Sequence, residues 1–396
     1  MNVSTTASRK TFLVVGGGRG IGWEIAQALL ARGNKVIVAD RLPTPPRSGD
    51  SNTSLSYLPV DLSLGDVSTL CDLDIHGLIV TAGIGRLAWL EDFSPIESDR
   101  TFQVNCLSII KLLQAYLPNL KATGPFPCAV ITSIAALVAS PLYTLYSATK
   151  AALFRFIEGC NAELTYKGSE NRILNVAPGY IGGTAFHGSP QQRTSLEQEA
   201  LTSLVQEILR RADTHQTLYI PRFDETYSSV LQRYRDNPTQ FAQESLHYKL
   251  ASQPLVAQSP LRIGYLTGSF DLFHIGHLNL IRNARNRCDI LIVGVHRDGS
   301  HKGKTLFIPL EERMAILRSL RYVDQVIECS QEDMDDWPRL HFHKLFVGSD
   351  YQGSERFNRY EVIGKKLGVE IVYLPYTTTT SSSQLRALIQ QERNAK

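Results

Sequence analysis

Residues 11–31 read TFLVVGGGRGIGWEIAQALLA, and this stretch decides the fold of the first half of the chain. The apolar run TFLVV has the length and β-branched content of a buried strand. It is followed by Gly16-Gly17-Gly18-Arg19-Gly20-Ile21-Gly22, after which a helical pattern opens at Trp23. Glycines there let the backbone turn tightly and approach a pyrophosphate, while a helix N-terminus offers unpaired N–H donors and partial positive charge. Asp40 closes the next strand pattern, KVIVAD, 24 positions after Gly16. A carboxylate at that place hydrogen-bonds the adenosine ribose hydroxyls and repels a 2′-phosphate, which favours NAD over NADP. The nearby Arg19 and Arg41 act in the opposite direction.

Outward from this stretch the same rhythm continues. YLPVDL, GLIVTAG, CAVITS and RILNVAPG read as further strands, separated by helical patterns at 24–31, 101–117 and 146–164. Such alternation predicts a doubly wound parallel sheet with crossover helices. Residues 189–249 are mostly charged and helical in pattern, with a short apolar piece at Leu218–Ile220 ended by Pro221. ASQPLVAQSP (251–260) has two prolines and no charge, as an inter-domain connector does. Beyond it, strands are expected at 262–267, 290–295, 325–328, 344–347 and 370–374, with helices after His274, Pro309 and Phe357. The expected organisation is therefore a first α/β domain over 1–250, a linker over 251–260 and a smaller α/β domain over 261–396.

A length of 396 residues suits two such domains, and 43% apolar with 20% charged residues excludes disorder and disulfide scaffolds. Lys and Arg number 41 against 38 acids, a net +3 that supplies no bulk attraction to nucleic acid or an anionic membrane. Small-molecule substrates are expected instead. The six cysteines are widely spaced, with no C-x-x-C and no zinc spacing, so they read as buried or idle thiols and no protein metal site is expected. The polar N-terminus and the lack of a run of about 18 apolar residues make a cytoplasmic enzyme the expectation.

Ser133 ends the pattern CAVITS, and 13 residues later Tyr146-Ser-Ala-Thr-Lys150 puts a phenol and an ammonium on one helix face. A free phenol ionises near pH 10, so exchanging protons near neutrality calls for a neighbouring cation that favours the phenolate. Lys150 is placed to be that cation.

The glycine turn, Asp40, Asp61 in VDL, Asn105 in QVN, Ser133, Tyr146, Lys150 and Pro178-Gly179 together resemble the short-chain dehydrogenase/reductase family over residues 11 to about 222. The resemblance implies a Rossmann-type fold, with Tyr146 as proton donor to a carbonyl and Ser133 orienting that oxygen. Lys150 would modulate the phenol and bind ribose, and Asn105 would hold a proton-relay water. Cofactor contacts are implied at Gly16, Gly18, Arg19, Gly20, Ile21, Gly22, Asp40, Asp61, Ala82, Gly83, Pro178 and Gly179, with Asp61 near the adenine. Val15 stands where the family commonly has Thr, and Val80-Thr81-Ala82-Gly83 replaces Asn-Asn-Ala-Gly. The family also implies a homo-oligomer.

In the second half, the strand pattern RIGYLTG runs into Ser269-Phe270-Asp271-Leu272-Phe273-His274-Ile275-Gly276-His277, and a helical pattern follows. Donors at a helix start plus two imidazoles suit the negative charge that grows on an α-phosphate and on departing pyrophosphate. G-S-F-D-x-x-H-x-G-H resembles the signature of the cytidylyltransferase family that includes glycerol-3-phosphate cytidylyltransferases. The likeness continues through Glu312-Arg313, LRSLRYVDQVI and Gly348-Ser349-Asp350-Tyr351, covering residues 262–389.

That resemblance implies a Rossmann-like nucleotidyltransferase domain, CTP as substrate and Mg²⁺ accompanying it. His274 and His277 would bind the triphosphate, with Gly268, Ser269 and Phe270 beside them. Lys302, Lys304 and Arg313 would contact phosphate or acceptor, and Gly348, Asp350 and Tyr351 would lie near the cytosine. The family's late motif Arg-Thr-x-Gly-x-Ser-Thr-Thr is replaced by residues 376–383, YTTTTSSS. Ser381, Ser382 and Ser383 still precede a helical pattern, whereas the arginine and glycine are gone; the next arginine is Arg386, ten residues beyond Tyr376. A CTP-binding domain without catalysis therefore stays open beside the catalytic reading.

Joined in one chain, the two resemblances imply reduction of a ketose phosphate followed by activation of the polyol phosphate as a CDP-polyol. CDP-ribitol is favoured over a glycerol-series product, for synthesis of a surface polymer.

Overall fold

The structure, a computed structural model, describes residues 9–42, 53–181, 194–252, 262–298 and 306–375. Its contacts divide the chain into two compact units, Met1–Gln258 and Ser259–Lys396.

In the first unit seven parallel strands run in the order β3-β2-β1-β4-β5-β6-β7. They are β1 (Thr11–Val15), β2 (Lys35–Asp40), β3 (Leu55–Pro59), β4 (Gly77–Val80), β5 (Cys128–Ile131), β6 (Ile173–Val176) and β7 (Leu218–Tyr219). Alternate residues of the central strands enter two different cores. Leu13, Leu78, Val80, Cys128 and Val130 pack with Leu112 and Ile157. Phe12, Val14, Ile79, Ala129 and Ile131 pack with Ile25, Leu29 and Val205. Burial on both faces explains why these strands read as continuous apolar runs.

The covering helices used below are α1 (Gly20–Ala31), α2 (Pro95–Phe102), α3 (Ser108–Ala115), α4 (Thr144–Tyr166), α5 (Ser195–Asp213) and α6 (Pro238–Ser252). Between α2 and α3, Gln103–Leu107 forms a π-helical turn, where the sequence pattern predicts unbroken helix. Helix α1 begins at Gly20, not at the expected Trp23, because glycines carry no apolar pattern to mark the start. The strand read as CAVITS ends at Ile131, two residues before Ser133, which instead caps a short 3₁₀ turn. Leu218–Tyr219, read only as an apolar piece, is the seventh strand, bonded to β6.

The second unit holds five parallel strands in the order β10-β9-β8-β11-β12. They are β8 (Ile263–Gly268), β9 (Ile290–Val295), β10 (Gln325–Glu328), β11 (Lys344–Gly348) and β12 (Glu370–Leu374). Helices α7 (Ile275–Arg285), α8 (Leu310–Arg318) and α9 (Glu355–Leu367) follow β8, β9 and β11. Ile281 and Leu317 of these helices pack with Leu266, Leu291, Val293 and Phe346 of the strands. Each sheet reverses its strand order once, between β1 and β4 and between β8 and β11. Ligands of doubly wound sheets bind beyond the carboxyl ends of the strands at such a reversal, and the glycine turn and the two histidines lie there.

Candidate active sites

In the first unit the loop after β1 is shaped by what a side chain would strike. Gly16 has φ +82°, and a Cβ there would come 2.5 Å from the backbone nitrogen of Ala82 on the loop after β4. Thr81 fastens the two loops, donating from Oγ1 to the Gly16 carbonyl at 3.0 Å. The departure Val80-Thr81-Ala82-Gly83 thus keeps a side-chain tie between the loops, which reading from the sequence did not assign.

Asp40 locks onto the same turn. Its Oδ2 accepts from the Gly18 N–H at 2.9 Å and its Oδ1 from Leu42 N–H at 3.2 Å. Arg19 is the N-cap of α1, and its side chain makes no capping hydrogen bond. An uncapped helix start behind a side-chain-free turn, with a carboxylate fixed at its edge, fits a dinucleotide. Burial and Arg41 hold the Arg19 guanidinium below its ordinary pKa, partly offset by Asp40. Gly20, Ile21 and Gly22 form the first turn of α1. Asp61 begins the turn after β3, its Oδ1 accepting from Ser63 N–H at 2.9 Å.

The residues expected to move a proton are brought together by β5, the π turn and α4. Ser133 accepts from the Ala135 N–H at 3.1 Å and hydrogen-bonds Tyr146. Tyr146 is half-buried; burial pushes its phenol up to about 12, and the Ser133 bond pulls it partway back. Lys150, 2% exposed, donates to the Ile131 carbonyl at 3.0 Å, with its Nζ 5.8 Å from the Tyr146 ring centroid. Burial lowers its ammonium to about 8. The expected acidification of the phenol by Lys150 is thus not what sets its proton affinity here. Desolvation dominates, and the lowering comes from Ser133.

Asn105 is fully buried in the π turn. Its Oδ1 accepts from Ile84 N–H at 2.8 Å, and its Nδ2 donates to the Ile84 carbonyl and to Thr149 Oγ1 at 2.7 and 3.0 Å. The side chain ties the loop after β4 to α4. Ala82 and Gly83 lie on that loop, and a Cβ on Gly83 would stand 3.1 Å from Lys150 Nζ. Pro178 accepts from Ile134 N–H at 3.0 Å, and a Cβ on Gly179 would overlap the Tyr227 hydroxyl.

In the second unit the loop between β8 and α7 holds two non-glycine residues with positive φ, Phe270 at +50° and Leu272 at +50°. That costly backbone is held by its surroundings. Asp271, buried, accepts from the N–H groups of Phe307 and Ile308 at 3.1 and 3.0 Å. His274 caps α7, its Nδ1 accepting from Gly276 N–H at 3.0 Å, which assigns the imidazole proton to Nε2 when the ring is neutral. Its ring stacks on His277 with centroids 4.0 Å apart, and Phe270 meets His277 edge-on at 5.3 Å. Burial lowers the His274 pKa, keeping the ring neutral to lower pH.

Gly348 ends β11 and Asp350 and Tyr351 follow it, across the strand reversal from the histidines. Asp350 is exposed, and the half-buried Tyr351 ring lies 5.6 Å from Phe357. Arg313 is a correction to the expected phosphate contact. It is 1% exposed and donates to the carbonyls of Ile308, Ser269, His296 and Arg297 at 2.9, 2.6, 2.9 and 2.9 Å. A guanidinium so committed fixes the loops at Gly268–Phe270 and after β9. Lys302, Lys304, Ser381, Ser382, Ser383 and Arg386 lie outside the described residues.

All six cysteines carry free thiols. Among the described residues no helix is long and apolar enough to cross a membrane.

Comparison with known proteins agrees with both halves. The short chain dehydrogenase family matches residues 10–194, and the cytidylyltransferase-like family matches residues 265–388. Glycerol-3-phosphate cytidylyltransferase of Bacillus subtilis (strain 168) is 33% identical over 127 residues, covering 30% of this chain and 90% of that protein. Bifunctional protein HldE of Helicobacter hepaticus is 31% identical over 181 residues, covering 43% of this chain. The chain spans only 36% to 49% of the length of such longer curated relatives. A solved short-chain dehydrogenase from Streptomyces avermitilis shares the first unit's fold, with a TM-score of 0.51 at 20% identity, covering 61% of this chain and 99% of that one. Through its second unit the chain belongs to the cytidylyltransferase family, and its first unit is a short-chain dehydrogenase domain.

Proposed function

We propose that this protein is a bifunctional enzyme that makes a CDP-polyol in two reactions. In the first, a ketose phosphate takes hydride from NADH and a proton from the protein, giving a polyol phosphate and NAD. In the second, an oxygen of that polyol's phosphate displaces pyrophosphate from CTP. Ribitol 5-phosphate is the favoured intermediate, formed from ribulose 5-phosphate. The observation that carries the reading is the presence, in one chain, of a Ser133–Tyr146–Lys150 group beyond β5 and a stacked His274–His277 pair beyond the strand-order reversal of the second sheet.

A phenol raised to about 12 stays protonated at neutral pH and can donate to a carbonyl oxygen held by Ser133. Lys150 and Asp40 would hold ribose hydroxyls, and the Asp40 carboxylate supports NAD over NADP. NADH supplies the hydride. On the other unit, His274 and His277 would donate to phosphate oxygens as charge grows on the leaving pyrophosphate. Mg²⁺ would enter with the triphosphate and supply neutralisation of its negative charge.

A dedicated reductase is useful when general metabolism does not already supply the polyol phosphate, which supports a ribitol over a glycerol product. Such activated polyols serve as donors for surface polymers. The test is incubation with CTP, Mg²⁺ and a panel of polyol phosphates, with pyrophosphate measured and the product weighed by mass spectrometry. Ribitol 5-phosphate is expected to turn over fastest. No turnover with any acceptor would make the second unit a CTP-binding regulatory module, a reading favoured by the departures at residues 376–383.

A further inference from the structure

Helix α6 (Pro238–Ser252) lies in the charged C-terminal part of the first unit, and its single lysine is only partly exposed. Lys249 is half-buried, and its Nζ donates to Ser140 Oγ at 2.7 Å and to the Pro141 carbonyl at 2.9 Å. The same ammonium stands 5.2 Å from the centroid of the Tyr143 ring. Ser140, Pro141 and Tyr143 belong to the segment that connects Ser133 to Tyr146. The Tyr143 and Tyr146 rings meet edge-on at 6.1 Å. One aromatic ring therefore separates this cation from the proton donor.

The charge is not balanced locally. Among the described residues no carboxylate forms an ion pair with Lys249, whose oxygen partners are both neutral. Two of its three N–H groups are used by these contacts, which leaves one donor and the full charge. Burial without a counter-charge lowers the ammonium to about 8, so it remains a cation at neutral pH but an unfavourable one. An anion arriving beside it would restore that loss.

We infer that Lys249 is the specificity residue of the reductase site, binding the phosphate of the carbonyl substrate while Tyr146 meets its carbonyl oxygen. The inference rests on the reading of the first unit as a sugar-phosphate reductase. Tyr143 is the floor between the two ends, and the Ser140 hydroxyl orients the ammonium and is itself available to phosphate. Cα-level pattern could not reveal this, since Lys249 is 109 residues from Ser140 in sequence.

The experiment uses the full chain and compares NADH oxidation with ribulose 5-phosphate and with unphosphorylated ribulose, for wild type, Lys249→Gln and Lys249→Arg. Wild type is expected to prefer the phosphorylated ketose. Lys249→Gln should reduce that preference about tenfold through KM, leaving kcat and the Kd for NADH within about twofold, and Lys249→Arg should restore most of it. Unchanged NADH affinity and melting temperature certify folding. Unaltered preference in Lys249→Gln, or an equal loss with both ketoses, overturns the inference and makes Lys249 a staple between α6 and the loop. If wild type itself shows no preference for phosphate, the sugar-phosphate reading falls, and this inference with it.

Discussion

Lys150 sits one helical turn beyond Tyr146 and directs its ammonium at the Ile131 carbonyl, 3.0 Å away, with Nζ 5.8 Å from the centre of the phenol ring. The pair thus shares a helix face without a direct bond. The phenol keeps its proton because it is desolvated, and the lysine ammonium is held by the Ile131 carbonyl.

Tyr146→Phe removes the hydroxyl proposed as proton donor while preserving the ring and its packing. Reduction should fall about 10³-fold, within the range for loss of a positioned general acid. NADH binding and pyrophosphate release from CTP with a supplied polyol phosphate should be unchanged. Retained reduction would remove Tyr146 from its assigned role.

Lys150 gives a signed pH dependence. Its pKa falls from 10.5 to about 8 on burial. Below about 8 both folded and unfolded chains bind this proton, and the burial penalty is fully present. Between about 8 and 10.5 the unfolded chain binds a proton that the folded chain lacks, so this residue's contribution to stability improves as pH rises. The melting temperature of wild type relative to Lys150→Met should therefore increase from pH 7 to pH 10. A flat difference would contradict the buried ammonium.

Gly16→Ala should abolish NADH binding and lower the stability of the first unit. The new Cβ would stand 2.5 Å from the Ala82 nitrogen on a backbone with φ +82°. Strain of this kind costs about 1–3 kcal/mol. Fluorescence titration with NADH and thermal unfolding measure the two effects separately.

Arg313→Met should destabilise the second unit by about 3 kcal/mol, since it orphans carbonyls that the guanidinium now satisfies. Denaturant unfolding measures it, and NADH oxidation by the first unit should survive. If stability is unchanged and only the KM for CTP rises, the residue contacts phosphate after all.

Much of this architecture is legible without coordinates. Ile290–Val295, Gln325–Glu328 and Glu370–Leu374 coincide with the expected strands, because β-branched runs between turn residues admit few other readings. The glycine turn and Asp40 are legible for the same reason, since strand, turn and strand end are local features. What escapes the sequence is set by distant partners. Arg313 reads as an available cation until four carbonyls surround it, one of them Ser269, 44 positions away. The phenol's proton affinity depends on desolvation by the whole fold, so Tyr146 and Lys150 reveal their spacing but not their balance. Thr81 looked like a departure from a pattern, and only the neighbouring loop shows that its hydroxyl holds Gly16.

The two-reaction account is tested most directly by supplying ribulose 5-phosphate, NADH, CTP and Mg²⁺ together and following pyrophosphate and CDP-ribitol by mass. Wild type should form CDP-ribitol only when NADH is present. Tyr146→Phe should form it only when ribitol 5-phosphate is added, and His277→Ala should accumulate ribitol 5-phosphate without CDP-ribitol. Pyrophosphate release by His277→Ala at the wild-type rate, or NADH oxidation yielding no polyol phosphate, would contradict the account.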